Sequence, residues 1–392
     1  MKTLIELYDE RAIENVIGAE TFKPENVVYL CPAEIAENRR LQDKLRAFFR
    51  SRGHSMNIHF TECSMYEADT ICNQLHEIAT KYEDCAVDVS GGTDAALFAA
   101  GMFCQETGTP VFTYSRKKNS FYDISNAPFA DELKCTLEYK VEDFFRMAGG
   151  DMRPGRVDNR ILTNYVDKYD AFFDIFLKHR RKWPDEINFI QRISQVEFVE
   201  DVTTHVDGNY FQKGERGGTL RANPVLLEEL QQIGFITNLK IDIEKSVSFD
   251  FADLHVRSWL RDVGSVLELY MYKQCLVSGI FRDIISSAVV DWDGTRNRDS
   301  VSNEIDVVAT RGIVPLFISC KATEVKTEAL NELAILKDRF GGKGAKAAIA
   351  TTENCNAAVR HRAAQLGITV IDREEMEDGT VPERLKIIMK VK

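Results

Sequence analysis

Residues 303–321 read NEIDVVATRGIVPLFISCK, and this stretch decides the fold of the C-terminal third of the chain. Two apolar runs flank Arg311-Gly312, a pair typical of a tight turn, so the stretch predicts a β-hairpin. Asp306 interrupts the first run, and Lys321 ends the second run fifteen positions later. An acid among strand hydrophobics costs free energy unless it is paired or bound to a metal. The pattern therefore indicates a functional site as well as a sheet.

The elements around this hairpin predict an α/β domain. Phe251 to Ser278 carries apolar residues at helical spacing and predicts one long helix that contains Glu268. Ile280 to Trp292 predicts a strand that contains Asp291. After the hairpin, the predicted elements are a helix at Val325 to Phe340, a strand at Ala347 to Thr351, a helix at Asn356 to Leu366 and a strand at Ile368 to Ile371. The predicted order is α-β-β-β-α-β-α-β.

Acids and a lysine that converge from adjacent elements are enough for phosphodiester hydrolysis. Divalent ions activate water and neutralise the charge of the transition state, and carboxylates hold hard cations such as Mg²⁺ or Mn²⁺. A lysine beside the ion can orient or deprotonate the water. The series Glu268, Asp291, Asp306 and Lys321 therefore indicates a metal-dependent phosphodiesterase. Turn chemistry explains Asp291 and Asp293 about as well, because both lie in a polar stretch.

This region resembles the restriction-endonuclease-like nuclease fold with its PD-(D/E)xK signature. The resemblance implies that Glu268 is the helix glutamate, Asp306 the central metal-binding aspartate and Lys321 the signature lysine. Ser319 departs from the pattern, because it stands where the family has glutamate or aspartate. Candidates to compensate are the carboxylates of Asp291 and Glu304 and the carbonyl of Cys320. The predicted catalytic residues are Lys321, Asp306, Glu268, Asp291 and Ser319, and the predicted ligands of Mn²⁺ or Mg²⁺ are Glu268, Asp291, Asp306 and Cys320.

Residues 1 to about 125 alternate predicted strands and helices. The strands are predicted at Thr3 to Leu7, Asn26 to Leu30, Met56 to Phe60, Ala86 to Val89 and Val111 to Tyr114. The helices are predicted at about Glu34 to Arg50, Tyr66 to Lys81 and Asp94 to Thr107. Such alternation predicts a parallel, Rossmann-like sheet with right-handed crossovers. Ligands of these sheets bind outside the carboxyl ends of the strands.

The loop at residues 87–94, VDVSGGTD, follows a predicted strand and begins a predicted helix. Its two glycines allow close approach of a ligand, and N–H groups at a helix start bind anions such as phosphate. Ser90 and Thr93 add hydroxyl groups, although Thr93 or Asp94 can instead serve only as a helix N-cap. The loop is neither GxGxxG nor a Walker loop, which argues against a dinucleotide or ATP site.

The same loop is similar to the (T/S)-G-G-T loop of CARF domains, the cyclic-oligoadenylate sensors of type III CRISPR systems. The opening LIELYDE at residues 4–10, followed by Asn15-Val16, resembles one subfamily in which a CARF domain precedes a restriction-endonuclease-like domain. The resemblance implies a cyclic tetraadenylate activator, metal-dependent cleavage of DNA and/or RNA, and a role in antiviral defence. Asp94 departs from relatives, which often carry lysine there.

The predicted effector pocket follows from the carboxyl-end rim of the sheet and from this resemblance. Its predicted residues are Asp9, Glu10, Pro32, Ser90, Gly91, Gly92, Thr93, Asp94, Ser115 and Arg116. One Rossmann-like domain offers half of a pocket for a symmetric ring, so a homodimer is expected.

Composition limits the classes of function. The 392 residues carry a net charge of -11, so any contact with nucleic acid must use a local basic patch. No run of about 18 apolar residues predicts a membrane span. Nine scattered cysteines without a CxxC pair fit a cytoplasmic location. The predicted domains are a CARF domain at 1–135, a mostly helical coupling region at 136–245 and a nuclease domain at 246–392.

Two other functions stay open at this point. Ser319 favours a cyclic-nucleotide sensor whose nuclease-like domain is inactive and acts as a regulator. A Rossmann-type metabolic enzyme that uses a dinucleotide is the third hypothesis, and the absence of GxGxxG argues against it.

Overall fold

The computed structural model describes residues 1–153, 159–196, 202–214, 217–292 and 302–391. Asp293, which the sequence analysis considered together with Asp291, lies outside these residues. Within them the chain forms an α/β fold with two six-stranded sheets. None of the described helices combines the length and the apolar character that a membrane crossing requires.

The N-terminal sheet is Rossmann-like, as predicted. Its strands are β1 (Thr3–Leu7), β2 (Asn26–Cys31), β3 (Asn57–Glu62), β4 (Cys85–Asp88), β5 (Val111–Ser115) and β6 (Ser120–Ser125). Its helices are α1 (Ile17–Phe22), α2 (Ala33–Ala36), α3 (Arg39–Ser51), α4 (Ala68–Lys81) and α5 (Asp94–Thr107). The strand order is β3-β2-β1-β4-β5-β6; the first five strands run parallel, and β6 is antiparallel to β5. The order reverses between β1 and β4, so the loops after these two strands meet where such folds bind ligands.

The middle region contains strands as well as helices. Its helices are α6 (Val141–Met147), α7 (Asn159–Asn164), α8 (Tyr169–His179), α9 (Trp183–Ile193) and α10 (Pro224–Gln232). Its strands are β7 (Asp151–Met152), β8 (His205–Asn209), β9 (Phe211–Lys213), β10 (Thr219–Arg221), β11 (Ile236–Asp242) and β12 (Ser246–Phe251). The sheet β11-β12-β8 and the hairpin of β9 and β10 were not predicted. Strands β8 to β11 are largely exposed, so they lack the buried apolar runs that mark a strand in a sequence. Strand β12 does alternate buried Val247, Phe249 and Phe251 with polar residues, a strand signal that the sequence analysis missed.

The second large sheet forms the C-terminal domain, and its elements from β13 to β17 follow the predicted order. Its further strands are β13 (Asp283–Asp291), β14 (Ser302–Arg311), β15 (Val314–Lys321), β16 (Lys346–Thr351) and β17 (Ile368–Ile371). The helices are α11 (Leu254–Trp259), α12 (Ser265–Ser278), α13 (Thr327–Gly341), α14 (Ala357–Gln365), α15 (Arg373–Glu377) and α16 (Val381–Ile388). The strand order is β17-β16-β15-β14-β13-β7, so the short strand β7 of the middle region extends this sheet. The domain boundaries stay a prediction.

The single helix predicted from Phe251 to Ser278 is wrong. The chain forms α11 and α12 there: Asp253 caps the first helix, and the second begins after Gly264. Asp253 accepts hydrogen bonds at 2.8 Å from two N–H groups in the first turn of α11. Asp262 accepts one at 2.9 Å from the Ser265 hydroxyl, at the start of α12. The break places Glu268 in the first turn of α12, close to the sheet.

Candidate functional site

Carboxylates from α12 and β14 meet in one cavity of about 350 Å³. Glu268 comes from α12 and Asp306 from β14, and Asp262 and Glu304 line the same space. Four acids around one cavity repel each other when ionised, and a cation is the group that relieves such repulsion. The structure thus brings together two predicted site residues, Glu268 and Asp306, that lie far apart in the sequence.

Glu268 is held in a neutral form by its surroundings. Burial raises its pKa to about 8, and the charges of Asp306, Asp262 and Glu304 add to the rise. The Ser287 hydroxyl donates a hydrogen bond to Glu268 Oε2 at 3.2 Å, which partly opposes the shift. At neutral pH and without a cation, most of the Glu268 carboxyl therefore carries a proton.

Asp306 is fixed by the end of the neighbouring strand β15. Its Oδ2 accepts hydrogen bonds from the Cys320 N–H at 2.5 Å and from the Ser319 hydroxyl at 3.3 Å. Lys321 Nζ lies 3.7 Å from the same oxygen. Burial raises the pKa of Asp306, whereas the Lys321 charge and these hydrogen bonds lower it, and the net direction is upward. Each of the three residues Ser319, Cys320 and Lys321 thus contacts the Asp306 carboxylate, the first two through hydrogen bonds and the third as an ion pair.

Cys320 contributes its backbone rather than its thiol. The side chain is buried, and burial together with the nearby acids raises the pKa of the thiol well above its ordinary value. A thiolate ligand is therefore disfavoured. The predicted role of the Cys320 carbonyl as a metal ligand stays a prediction.

Asp291 does not join this cluster, contrary to the prediction. It is fully buried, and its Oδ2 pairs with Arg153 Nη2 at 3.1 Å. Along β13 it lies four residues beyond Ser287, which faces Glu268, and this spacing corresponds to about 13 Å in a strand. Asp291 instead lies where β13 pairs with β7, and its backbone is in register with Asp151 there.

Two residues of the site escaped the sequence analysis. Ser287 lies between Ser286 and Ala288, which pair with Val307 and Ile305 on either side of Asp306, and it has a left-handed backbone, with φ +52°. Asp262 lines the cavity and raises the pKa of Glu268 through its charge. The Ser286-Ser287 pair, which interrupts the apolar residues of β13, is a signal that could have indicated a polar partner there.

The donor set fits a hard divalent cation. Within the described ranges, no three side chains of histidine, cysteine, aspartate or glutamate form a ready set of metal ligands. The cavity still offers two half-buried carboxylates, Glu268 and Asp306, and oxygen donors of this kind suit Mg²⁺ or Mn²⁺. An ion there would need further oxygens from water or substrate, which Mg²⁺ ordinarily keeps.

The predicted effector rim lies at the carboxyl end of the N-terminal sheet. Asp9 follows β1, and its Oδ2 accepts a hydrogen bond at 3.1 Å from the Gly92 N–H. Its two oxygens also bind Arg11. An aspartate of the chain therefore already occupies one N–H group that was predicted to bind phosphate.

The hydroxyl groups of the loop have partners within the chain. Ser90 Oγ accepts a hydrogen bond from the Tyr114 N–H at 2.8 Å. Thr93 caps α5, because its Oγ1 accepts from the Ala96 N–H at 3.2 Å and donates to the Met65 carbonyl. The sequence allowed Thr93 to bind an anion or to cap the helix, and in the structure it caps the helix.

The other rim residues surround this loop. Gly91 is buried against Asp9 and the β1 carbonyl of Leu7, and Asp94 is exposed in the first turn of α5. Glu10 is exposed beside a cavity of about 440 Å³ that also contacts the C-terminal domain. The remaining predicted residues are Pro32, before α2, and Ser115 and Arg116, at the end of β5.

Gly92 is expected to tolerate no side chain. It has φ +96°, and an added Cβ would lie 2.8 Å from Leu7 Cβ. Gly92→Ala should lower the free energy of unfolding by about 2–3 kcal/mol, because steric overlap adds to the strain of a left-handed backbone. Urea denaturation measures the change.

Gly53→Ala is the matched control for this variant. Gly53 also has a positive φ, +82°, but no atom lies within 4 Å of an added Cβ. Its loss should stay near 1 kcal/mol, the cost of backbone strain alone. Equal losses in the two variants would contradict the packing of Gly92 against β1.

Comparison with known proteins shows the fold. No family model matches the sequence. No curated protein matches it either. Protein VC1899 from Vibrio cholerae is similar over 99% of this chain and 98% of its own, with 14% identity and a TM-score of 0.73. Can2 from Sulfobacillus thermosulfidooxidans, solved in complex with cyclic tetra-adenylate, is similar over 99% of both chains, with 17% identity and a TM-score of 0.69. The resemblance inferred from the sequence is confirmed at the level of the fold, over the whole length of the chain.

Proposed function

We propose that this chain is an endonuclease that a cyclic oligoadenylate, cyclic tetraadenylate, switches on in type III CRISPR defence. The observation that carries the proposal is the contact of Asp306 with Lys321, beside the half-buried Glu268, in a chain with the fold of Can2. The proposed division is a sensor at 1–135, a coupling region at 136–245 and a nuclease at 246–392. The proposed substrate is nucleic acid, DNA and/or RNA.

The proposed roles follow from the contacts in the cavity. Glu268 and Asp306 would hold Mn²⁺ or Mg²⁺, which supplies charge neutralisation and activation of water when bound. Lys321 stands beside Asp306, where its ammonium group can orient the attacking water and offset phosphate charge. Ser319 supports Asp306 through its hydroxyl and does not add a third carboxylate.

A homodimer is part of the proposal. Helix α5 starts at the effector loop and exposes Phe98, Met102 and Leu97, whose relative exposures are 65%, 44% and 37%. Tyr66, before α4, is 81% exposed. These exposed apolar side chains lie beside the loop that would form half of the effector pocket. They support the packing of a second copy of the chain against this face of α5.

The decisive experiment is a cleavage assay on labelled single-stranded and duplex DNA and RNA. Mn²⁺ is present throughout, cyclic tetraadenylate is added or withheld, and Asp306→Ala is the control. We expect cleavage only with the effector and only in the unmodified chain. Cleavage that does not depend on the effector would contradict the switch.

A second function is favoured by Ser319. Without a carboxylate at that position the metal site holds two acids, and a weak metal site suits a sensor that regulates without cutting. Tight binding of cyclic tetraadenylate, with no cleavage of any of the four substrates, would decide for this inactive-nuclease sensor.

A further inference from the structure

The longest uninterrupted run of basic residues in the chain lies where α8 ends and α9 begins. Residues 178–182 read KHRRK. Its last three residues, Arg180, Arg181 and Lys182, form the turn between the two helices, here called the α8–α9 turn. Because the chain has a net charge of -11, contact with a polyanion has to use a local patch of this kind.

The α8–α9 turn lies at the edge of the C-terminal sheet where Lys321 ends its strand. Arg180 Nε is 4.0 Å from Glu353 Oε1. Glu353 follows β16 by two residues, and the last residue of β16, Thr351, is in register with Lys321. The α-carbons of Lys321 and Glu353 are therefore at most about 12 Å apart. A duplex advances about 3.4 Å per phosphate along each strand, so a strand bound at Lys321 reaches the turn within a few nucleotides.

A second contact holds the turn beside the nuclease cavity. Trp183, the residue after the turn, is buried, and its Nε1 donates a hydrogen bond at 3.2 Å to the Val263 carbonyl. Val263 follows Asp262, which lines the cavity of Glu268 and Asp306. Helix α8 itself packs against α12, the helix that carries Glu268. The turn is thus fixed from two sides before any substrate binds, which lowers the entropic cost of binding.

Acids of the chain neutralise the start of the basic run but not its end. Lys178 pairs with Glu229, and His179 Nε2 lies 2.7 Å from the same carboxylate. Arg181 and Lys182 are exposed, and neither forms an ion pair within the part of the chain that the structure describes. Exposed cations without an acidic partner favour an anionic ligand.

Helix stability does not account for the end of the run. Basic residues in the last turn of α8 offset the negative end of its dipole, which explains Lys178 and His179. Lys182 is the N-cap residue of α9, at the positive end of the next helix, and its side chain makes no capping hydrogen bond. A cation in that position costs stability, and a bound phosphate would offset the cost.

We propose that Arg180, Arg181 and Lys182 bind backbone phosphates of the nucleic-acid substrate, a few nucleotides from the phosphodiester that is cut. The inference rests on the proposed function, because it assumes a substrate strand at Asp306 and Lys321. The acids of the nuclease cavity repel such a strand, and the turn supplies positive charge beside them. Phosphates are common to every sequence, so this surface contributes affinity and position but no sequence preference.

The test compares three variants of the full chain, with cyclic tetraadenylate present throughout. The turn variant is Arg181→Gln with Lys182→Gln. The swap variant, Arg181→Lys with Lys182→Arg, keeps both charges in the same place. The control variant, Lys23→Gln with Lys81→Gln, removes two charges from exposed lysines before β2 and β4, at the edge of the N-terminal sheet opposite the effector rim.

Binding of labelled single-stranded and duplex DNA and RNA is titrated at several salt concentrations, with Ca²⁺ in place of Mn²⁺ to prevent cleavage. The turn variant should bind about tenfold more weakly, because charge-assisted hydrogen bonds to phosphate are lost. The slope of log affinity against log salt should become shallower by about 1.5, since two cations no longer displace counterions. The swap and control variants should match the unmodified chain.

A cleavage assay with Mn²⁺ separates a substrate contact from damage to the active site. The turn variant should raise KM about tenfold and leave kcat unchanged, because contacts away from the cut phosphodiester are the same in the ground state and in the transition state. A lower kcat with an unchanged KM would contradict the proposal. Affinity for cyclic tetraadenylate should be equal in all variants, and its loss in the turn variant would assign the turn to the effector instead.

The binding titration also separates failure of this proposal from failure of the proposed function. If the unmodified chain cuts no substrate, the nuclease function fails, and the titration then decides the surface on its own. Nucleic-acid binding that the turn variant loses and the swap variant keeps supports the surface. Equal binding by the turn and control variants, or no binding by the unmodified chain, overturns it.

Discussion

Asp306→Asn should reduce effector-activated cleavage on the order of a thousandfold or more, because it removes one of the two carboxylates proposed to hold the metal ion. Asparagine keeps the shape of the side chain and an oxygen that can accept the hydrogen bond from the Cys320 N–H. It also removes one of the three acidic charges that add to the effect of burial in raising the pKa of Glu268, so the variant should fold at least as stably as the unmodified chain. A kinetic assay with Mn²⁺ and cyclic tetraadenylate measures the loss, and a thermal melt checks the fold.

Lys321→Met should separate metal binding from activation of the attacking water. Methionine is close to lysine in length but carries no charge, so the water loses its cationic neighbour while both carboxylates remain. Cleavage should fall by a similar factor, whereas binding of Mn²⁺, followed by calorimetry, should persist in Lys321→Met and be lost in Asp306→Asn.

Asp338→Asn is the matched control for the aspartate variant. Asp338 lies on α13 of the same domain, and its side chain is 74% exposed. Its replacement should leave cleavage and Mn²⁺ binding unchanged. The assignment of the active site fails if Asp306→Asn retains more than a small fraction of the activity of this control.

Glu268 should make the metal-free chain less stable as the pH rises. Its folded pKa of about 8 lies above its ordinary value of 4.5, so the folded state keeps a proton that the unfolded state releases. The stabilising contribution is complete below pH 4.5 and is lost as the pH rises to about 8. Glu268→Gln should therefore gain stability relative to the unmodified chain over this window, on the order of 3 kcal/mol. Urea denaturation in a chelating buffer, at several pH values, measures the difference.

Binding of Mn²⁺ gives this prediction a second readout. The ion needs an ionised carboxylate, so binding at neutral pH should release a proton from Glu268, and the affinity should increase up to about pH 8. Glu328 is an exposed glutamate on α13, and Glu328→Gln is the control. Both its free energy of unfolding and its Mn²⁺ affinity should follow those of the unmodified chain at each pH. If the free energy of unfolding of Glu268→Gln changes with pH in parallel with that of the control, Glu268 is already ionised in the metal-free folded chain.

The sequence predicted the elements that depend on local patterns. Apolar strands of four or five residues between helices predicted the parallel N-terminal sheet, and Arg311-Gly312 predicted the hairpin of β14 and β15. Asp306 and Lys321 were recognisable because a charged residue within or directly after a buried strand needs a reason. The long helix around Glu268 was predicted wrongly, because the periodicity of its apolar residues continues across a break that Asp262 and Gly264 make.

What the sequence determined by itself is the order of strands and helices and the residue types at their ends, since both follow from neighbours a few positions away. Only the tertiary structure decided which charges meet. It paired Asp291 with Arg153 instead of placing it near Asp306, and it placed Asp9 on the Gly92 N–H. It also raised the pKa of Glu268 and brought the basic α8–α9 turn beside Glu353. Burial and charge coupling depend on side chains that come from distant parts of the chain, and for that reason no local pattern predicts them.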